Sequence, residues 1–421
     1  MNRREHIDLT QVPGLTPAVV QPMQICLVGA GGGIGQQLAK TLAVRHKVAA
    51  VYRRPPAGAP KGVHTVRFDD KPGLAQAVGA AEVVVHAALN TKARGRQFIP
   101  ANQATTEQLL ALISPERCKL FVYFSSQVVY AALNPKEHPV QAEDADLAGT
   151  KRLDAYTRLK LTEEARVIAA CRDKGINYLI VRPTMVMGPG MAWSSGIVDA
   201  MRMAPLGLKN RTINLIHVAD LAEQLLALIE RGVANEVVNL GDLDVRSDDY
   251  FRHAAGLAQR PILLAPDWLS KFGGRFIPST LWFLGHDVQV SSDKVKALSG
   301  VETGRTLADF FEPPARIVDA RSLDVIRDTV RSGKPYHAIG RGYFLWFNDR
   351  KQTDQLVMEH YSGVISLVEN ALTVKAGTTL RTILDYLVPR GLTFATLPEF
   401  VDISAGACFF AEVHGSSVEH I

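Results

Sequence analysis

The sequence predicts an α/β protein: a doubly wound parallel sheet with a small substrate lobe, followed by a partial α+β domain at the carboxyl end. Three observations carry this expectation. From about residue 23, short apolar runs alternate with segments of helical period, the pattern of strands covered on both faces. A glycine-rich turn, Gly29-Ala30-Gly31-Gly32-Gly33-Ile34-Gly35, directly follows the first such run. Near Glu312-Pro313-Pro314 the pattern changes, which marks a domain boundary.

In order, Ile25–Val28 reads as the first strand and Gln36–Val44, with Leu38 and Leu42, as the helix after it. Val48–Tyr52, Val63–Phe68, Val83–Ala87, Leu120–Phe124 and Tyr178–Val181 read as the next five strands. Short βα connections and right-handed crossovers then give a Rossmann-type sheet. From residue 188 to about 315 the sequence mixes Ile213–Asp220, a helix Leu221–Glu230 and Glu236–Leu240. That mixture suits a substrate lobe interleaved with the last sheet elements. Beyond the boundary, His337–Arg341, Gln355–Met358, Leu372–Val374 and a helix near Thr379–Val388 form a new α+β unit. The expected organisation is an extension at 1–22, a sheet domain with its lobe at 23–315, a linker at 316–335 and the partial domain at 336–421.

Composition narrows the function. Hydrophobic content of 47% and charged content of 21% describe a globular protein with a sizeable core. The net charge of +5 is scattered, which argues against a nucleic-acid partner and suits a small-molecule ligand bearing phosphate. Cys26, Cys118, Cys171 and Cys408 lie far apart with no CxxC pair or nearby histidine cluster, so free thiols in a reducing cytosol are expected and no metal. No apolar stretch reaches the ~20 residues of a membrane helix, and the amino-terminal residues lack the apolar core of a signal peptide. A cytoplasmic location follows as the expectation.

Gly29, Gly32 and Gly35 form a Gly-x-x-Gly-x-x-Gly pattern between strand and helix. Glycine permits a positive φ and lets a pyrophosphate press on the backbone, while the helix that follows aims its free N–H groups at the phosphates. Gly33 and Ile34 would stand in that first turn. After the second strand come Arg53-Arg54, where an acidic residue would bind the adenosine ribose of NAD and arginines favour the extra phosphate of NADP. Asp69, after the third strand, is placed to face the adenine edge. The cofactor expected is NADP or NAD.

Far downstream, Tyr156 and Lys160 lie four apart, on one face of a helix. A phenol is a poor acid or base at neutral pH, so a neighbouring ammonium is expected to lower its pKa. The same lysine could also hold the nicotinamide ribose. Ser126, at the end of the fifth strand, is placed to hydrogen-bond a substrate hydroxyl or carbonyl.

Residues 24 to about 312 resemble the extended short-chain dehydrogenase/reductase family, of the NAD-dependent epimerase and dehydratase type. The matches are Val84-Val85-His86-Ala87-Ala88, Asn102 with Thr105-Thr106-Glu107-Gln108-Leu109-Leu110, Phe121 to Tyr130, Arg182-Pro183-Thr184 with Gly188-Pro189-Gly190, and Ile216-His217-Val218-Ala219-Asp220-Leu221. The resemblance implies Ser126, Tyr156 and Lys160 as catalytic residues. It also implies cofactor contacts at Ala87, Ala88, Arg182 and Pro183, and a homodimer paired through helices. Thr105 departs from the family's usual glycine, as does Ala131 after Tyr130. Epimerase, dehydratase and simple reductase all remain open.

Residues 336–421 resemble the first half of a vanillyl-alcohol-oxidase-type FAD-binding domain, on Ala338-Ile339-Gly340-Arg341-Gly342-Tyr343, Thr373 to Leu380, Gly391-Leu392, Leu397-Pro398, Ile403 to Ala407 and His414 to Ser417. That resemblance implies FAD held by Gly340, Arg341 and Gly342, and a flavin oxidase coupled to the reductase. Phe344 stands where serine is usual, and Tyr343 where some relatives carry a flavin-linked histidine. The leading reading is an NAD(P)-dependent oxidoreductase or epimerase/dehydratase acting on a hydroxyl or ketone of a sugar-like or lipid-linked substrate. The alternatives are a non-catalytic dinucleotide-binding sensor or scaffold, and an FAD-linked oxidase with a vestigial reductase half.

Overall fold

The computed structural model describes residues 21–55, 62–133, 139–147, 153–265, 287–311, 317–333, 336–339, 355–369, 371–394 and 401–410. The chain folds as two units, Met1–Glu312 and Pro313–Ile421. The first opens with β1 (Gln24–Val28), α1 (Gly33–Leu42), β2 (Lys47–Tyr52), β3 (Val63–Arg67), α2 (Lys71–Gly79) and β4 (Val83–His86). It continues with α3 (Phe98–Leu112), β5 (Leu120–Phe124), the short β6 (Val140–Gln141), α4 (Ala155–Asp173) and β7 (Asn177–Pro183). These strands are apolar along their whole length because both faces are covered. Ile25 and Leu27 pack with Leu38 and Leu42 of α1 on one side. Cys26 and Val28 point to the other, toward Leu109 on α3 and Val167 on α4.

The remaining elements are β8 (Met185–Met187), α5 (Ala192–Met203), β9 (Leu206–Leu208), β10 (Thr212–His217), α6 (Val218–Glu230), β11 (Glu236–Leu240), β12 (Leu243–Arg246) and α7 (Ser247–Leu257). The main sheet runs β11-β7-β5-β4-β1-β2-β3, with every pairing parallel. The strand order reverses between β1 and β4, and open sheets of this type bind ligands beyond the strand ends at that reversal. Glu236–Leu240, from the stretch where lobe and last sheet elements interleave, is the edge strand of this sheet, in register with β7 from Glu236↔Leu179 to Leu240↔Pro183. The lobe has a sheet of its own, with β10 parallel to β8 and antiparallel to β12. Its core joins Met187, Ile213, Leu215, Tyr250 and Phe251.

In the second unit, strands Ile317–Asp319 and His337–Ile339 both pair in parallel with Gln355–Val357. A hairpin of Val364–Val368 and Ala371–Val374 follows, then a helix Leu380–Leu387. The expected linker at 316–335 is therefore corrected. It contributes a strand of this sheet and a helix, Leu323–Arg331, capped by Ser322 accepting from the Val325 N–H at 3.3 Å. Gly340, Arg341 and Gly342 lie outside the described residues. Among the described residues no helix is long and apolar enough to cross a membrane, and no group of three metal-ligating side chains forms.

Candidate active site

The glycine turn sits at the carboxyl end of β1. Gly29 has φ +101, and a Cβ there would stand 2.6 Å from the Ala88 nitrogen, so only glycine lets β1 and the end of β4 approach. A Cβ on Gly35 would meet the Gly29 carbonyl oxygen at 2.1 Å, which fixes how closely α1 packs on the turn. Gly32 differs. Its nearest neighbour would be that same oxygen at 3.7 Å, so the fold itself has room for a side chain there. Gly32 is also the N-cap of α1, with no side-chain hydrogen bond and no acidic residue in the first turn. The first-turn N–H groups of a helix have no intrahelical acceptor, and here they border a cavity of about 460 Å³ lined by Gly29, Gly32, Gly33, Ile34 and Gly35. Uncapped donors and an unfilled glycine cradle fit a dinucleotide pyrophosphate.

Ser126, Tyr156 and Lys160 line the same cavity. Asp154 caps α4, accepting from the Thr157 N–H at 2.9 Å, and so places Tyr156 in the first turn and Lys160 one turn further on. Ser126 follows β5 and caps the turn Gln127–Ala132, accepting from the Val128 N–H at 3.4 Å. Its hydroxyl also hydrogen-bonds Tyr156. Lys160 is 5% exposed. Its ammonium donates to the Phe124 carbonyl at 2.5 Å and the Tyr123 hydroxyl at 3.3 Å, and lies 5.8 Å from the centre of the Tyr156 ring.

The expected lowering of the Tyr156 pKa by its lysine is not what this arrangement produces. Burial pushes the Tyr156 phenol above its ordinary range, and the Ser126 hydrogen bond works against that rise. Burial also pulls the Lys160 amine down, to about 8, against the upward pull of Glu163 and Glu164. Both groups therefore sit in a poorly solvated site that disfavours charge.

Arg182, expected at the cofactor, faces elsewhere. It is 4% exposed and binds the Glu164 carboxylate through Nε at 3.0 Å and Nη2 at 2.7 Å. Its Nη1 donates to the Tyr130 hydroxyl at 3.1 Å, and Tyr130 donates to Asn239 Oδ1 at 2.7 Å. Ser125 also hydrogen-bonds Glu164. This buried network ties β5, α4, β7 and β11 together beneath the site. Pro183 and Ala87 do line the cavity, and Ala88 stands against Gly29.

Arg53 and Arg54 are exposed just beyond β2. Asp69 is held by Arg67 through two hydrogen bonds, at 2.9 and 2.6 Å, so its carboxylate is already engaged at the sheet edge. The cavity wall adds Phe124, Gln127 and Val128 from the Phe121–Tyr130 motif, together with Leu89 and Met185, which no motif marked, and Met191. Trp193 lines it too and is 43% exposed, whereas Met201, on the same helix, is buried in the lobe core. Met191 follows Gly188-Pro189-Gly190 and packs against the glycine turn, where a Cβ on Gly33 would stand 1.9 Å from its Cε.

Comparison with known proteins bears on the family and the fold. The UDP-glucose 4-epimerase of Vibrio cholerae is 25% identical over 330 residues, covering 70% of this chain and 95% of that protein. UDP-D-apiose/UDP-D-xylose synthase 1 of Arabidopsis thaliana is 26% identical over 249 residues, 51% of this chain and 62% of that one. Among solved structures, UDP-glucuronic acid 4-epimerase from Bacillus cereus in complex with NAD superposes with a TM-score of 0.55 at 18% identity, covering 69% of this chain and 95% of its own. A human epimerase family protein with NADPH gives 0.53 at 20% identity, with 68% and 97% covered. Likenesses this distant show the fold. The model of the NAD dependent epimerase/dehydratase family matches residues 25–241. That match is more than half of the 421 residues, and it stops short of the stretch that resembles a flavin domain. The chain accordingly belongs to the NAD dependent epimerase/dehydratase family and is an NAD(P)-dependent enzyme of the short-chain dehydrogenase/reductase type.

Proposed function

We propose that this enzyme interconverts a hydroxyl and a ketone on a sugar-like substrate, with Tyr156 moving the hydroxyl proton. The observation that carries the reading is that Ser126, Tyr156 and Lys160 open into the same cavity as the glycine turn. The names of the two curated relatives, both acting on UDP-sugars, support the substrate class. Bound nicotinamide supplies the hydride acceptor or donor. The chain's own residues do the rest. Tyr156, kept as a neutral phenol by burial, holds its proton at Oη for delivery to a carbonyl oxygen, or accepts one from a hydroxyl in the reverse direction. Ser126 hydrogen-bonds Tyr156 and orients that oxygen. Lys160 brings positive charge beneath the phenol, which stabilises the phenolate left after proton delivery. Phe124, Val128, Met185 and Met191 give the cavity an apolar wall beside these groups. Flavin coupling through residues 336–421 forms no part of this proposal.

The experiment is a screen of UDP-glucose, UDP-galactose and UDP-glucuronic acid with NAD and NADP, read by nicotinamide absorbance and by NMR of the sugar. The reading fails if cofactor binds but no substrate is oxidised, reduced or epimerised. Gly32→Ala is expected to weaken NAD(P) binding about tenfold or more, because a methyl would displace the pyrophosphate from the backbone. The same change should leave the thermal midpoint almost unmoved, since the fold offers room for it. Loss of stability in parallel with binding would mean that the glycine serves the fold alone.

Arg53 and Arg54 are exposed directly after β2, the position from which basic side chains favour a 2′-phosphate, and we assign them to NADP selection. Replacing both with alanine is expected to raise the Kd for NADP about tenfold while leaving that for NAD within about twofold. Equal effects on both nucleotides, measured by calorimetry, would reject that assignment.

A further inference from the structure

The polar side chains lining the cavity are Ser125, Ser126, Gln127, Tyr156, Lys160 and Thr184; the rest of its wall is glycine, alanine, proline and larger apolar or aromatic residues. Four of the six are already engaged. Ser126, Tyr156 and Lys160 serve the proposed proton transfer, and Ser125 hydrogen-bonds Glu164. Gln127 and Thr184 are left over. Each is 4% exposed, and neither Gln127 Oε1 nor Thr184 Oγ1 has a hydrogen-bond partner among the described residues. A buried oxygen left unpaired destabilises the fold, and an apolar side chain of the same shape avoids that cost. Two such oxygens in the wall of one cavity point to a ligand that pairs with them.

Their backbones are fixed without help from these side chains. Phe124 on β5 pairs with Val181 on β7, and Gln127 and Thr184 each follow three residues later, at adjacent strand ends. Ser126 caps the turn that Gln127 opens, and the Thr184 N–H donates to the Leu240 carbonyl at 2.9 Å. Gln127 also stands next in the chain to Ser126, the hydrogen-bond partner of Tyr156.

We propose that Gln127 and Thr184 recognise hydroxyl groups on the carbons beside the reacting one, so that the substrate is a polyhydroxylated, sugar-like ring and not an isolated alcohol or ketone. This recognition belongs to the site proposed above and rests on that reading. Gln127 Oε1 accepts a hydrogen bond from a substrate hydroxyl, whereas the Thr184 hydroxyl can accept or donate. Neither group moves a proton; each orients the ring so that its reacting oxygen meets Tyr156. A substrate lacking the matching hydroxyl leaves a buried oxygen unpaired, and a site of this kind therefore discriminates strongly against deoxy analogues.

The test has two arms, and the first needs no substrate. Gln127→Met and Thr184→Val keep a similar shape while removing the unpaired oxygen. In thermal unfolding of the full chain without ligand, each variant should hold its midpoint or raise it by a few degrees. A lowered midpoint in one removes that residue from the proposal, and lowered midpoints in both overturn it, because the side chains would then serve the fold. The second arm titrates UDP-glucose and its 2-, 3- and 4-deoxy analogues into enzyme holding NADH, read by nicotinamide fluorescence. The unaltered enzyme should bind at least one analogue about tenfold more weakly than UDP-glucose. Gln127→Met should weaken UDP-glucose about tenfold yet leave the Kd of the analogue lacking the paired hydroxyl within about twofold. Equal weakening of all four sugars overturns the proposal, since no hydroxyl would then be read. Failure of all four to bind the unaltered enzyme would count against the UDP-sugar class proposed above, and the thermal arm then decides for the two side chains by itself.

Discussion

Replacing Tyr156 with phenylalanine is expected to lower kcat by about three orders of magnitude, within the range that a positioned acid or base contributes. The change removes one oxygen and keeps the ring, which contacts Lys160 from 5.8 Å, so NAD(P) affinity should stay within about twofold. Stability should hold or rise slightly, because the buried phenol is disfavoured from ionising and keeps its Ser126 hydrogen bond at a desolvation cost. Steady-state kinetics on whichever sugar nucleotide the screen identifies, with cofactor affinity measured in parallel, tests all three statements. Turnover within tenfold of the unaltered enzyme would move the proton-transfer role away from this hydroxyl.

The largest effect on stability is expected at Arg182 and Glu164. Their side chains are 4% and 8% exposed and joined by two hydrogen bonds. Arg182→Ala leaves a carboxylate in the core with only Ser125 for company, and breaking a buried pair in this way costs about 3–5 kcal/mol. The double variant Arg182→Met with Glu164→Leu should cost less than either single change, because no lone charge remains. Denaturant midpoints of the unaltered protein, the single variants Arg182→Met and Glu164→Leu and the double variant close this cycle, with Arg182→Ala measured beside them. A double variant less stable than Arg182→Ala would show that the network's hydrogen bonds outweigh its charge balance. Arg182→Ala should also leave NAD(P) affinity intact in protein that remains folded, since the guanidinium faces Glu164 and not the cavity.

The strands of the main sheet were legible because burial on both faces demands continuous apolar runs, and Val83 to Val85 can hardly be anything else. The glycine turn was legible because local backbone chemistry dictates it: Gly29 needs a positive φ and Gly35 lies against a carbonyl oxygen. Whether Glu236–Leu240 belongs to the lobe or to the main sheet is not legible along the chain, because it is short, its first two residues are only half-buried, and pairing with β7 is a long-range choice. Residues 316–335 read as a linker because they lie between the Glu312-Pro313-Pro314 boundary and the first apolar run of the next unit. The strand within them, Ile317–Asp319, declares itself only on pairing with Gln355–Val357.

At the site, the one-turn spacing of Tyr156 and Lys160 was a property of the helix and could be read directly. What the phenol and amine feel could not, since it depends on β5 packing beneath α4. Desolvation there raises the one and lowers the other, reversing the expectation for the tyrosine. Arg182 followed the same logic: its motif suggested a ligand, but α4 brings Glu164 to it across the sheet.

By itself, then, the amino-acid order determined whatever rests on neighbours along the chain: which segments are strands, where the backbone must turn, and which donors and acids can share a helical face. Tertiary structure decided strand order, the partner of each buried charge and the protonation preference of the site. Those depend on who is packed against whom and how far water is excluded, and both are set by contacts between residues distant in sequence.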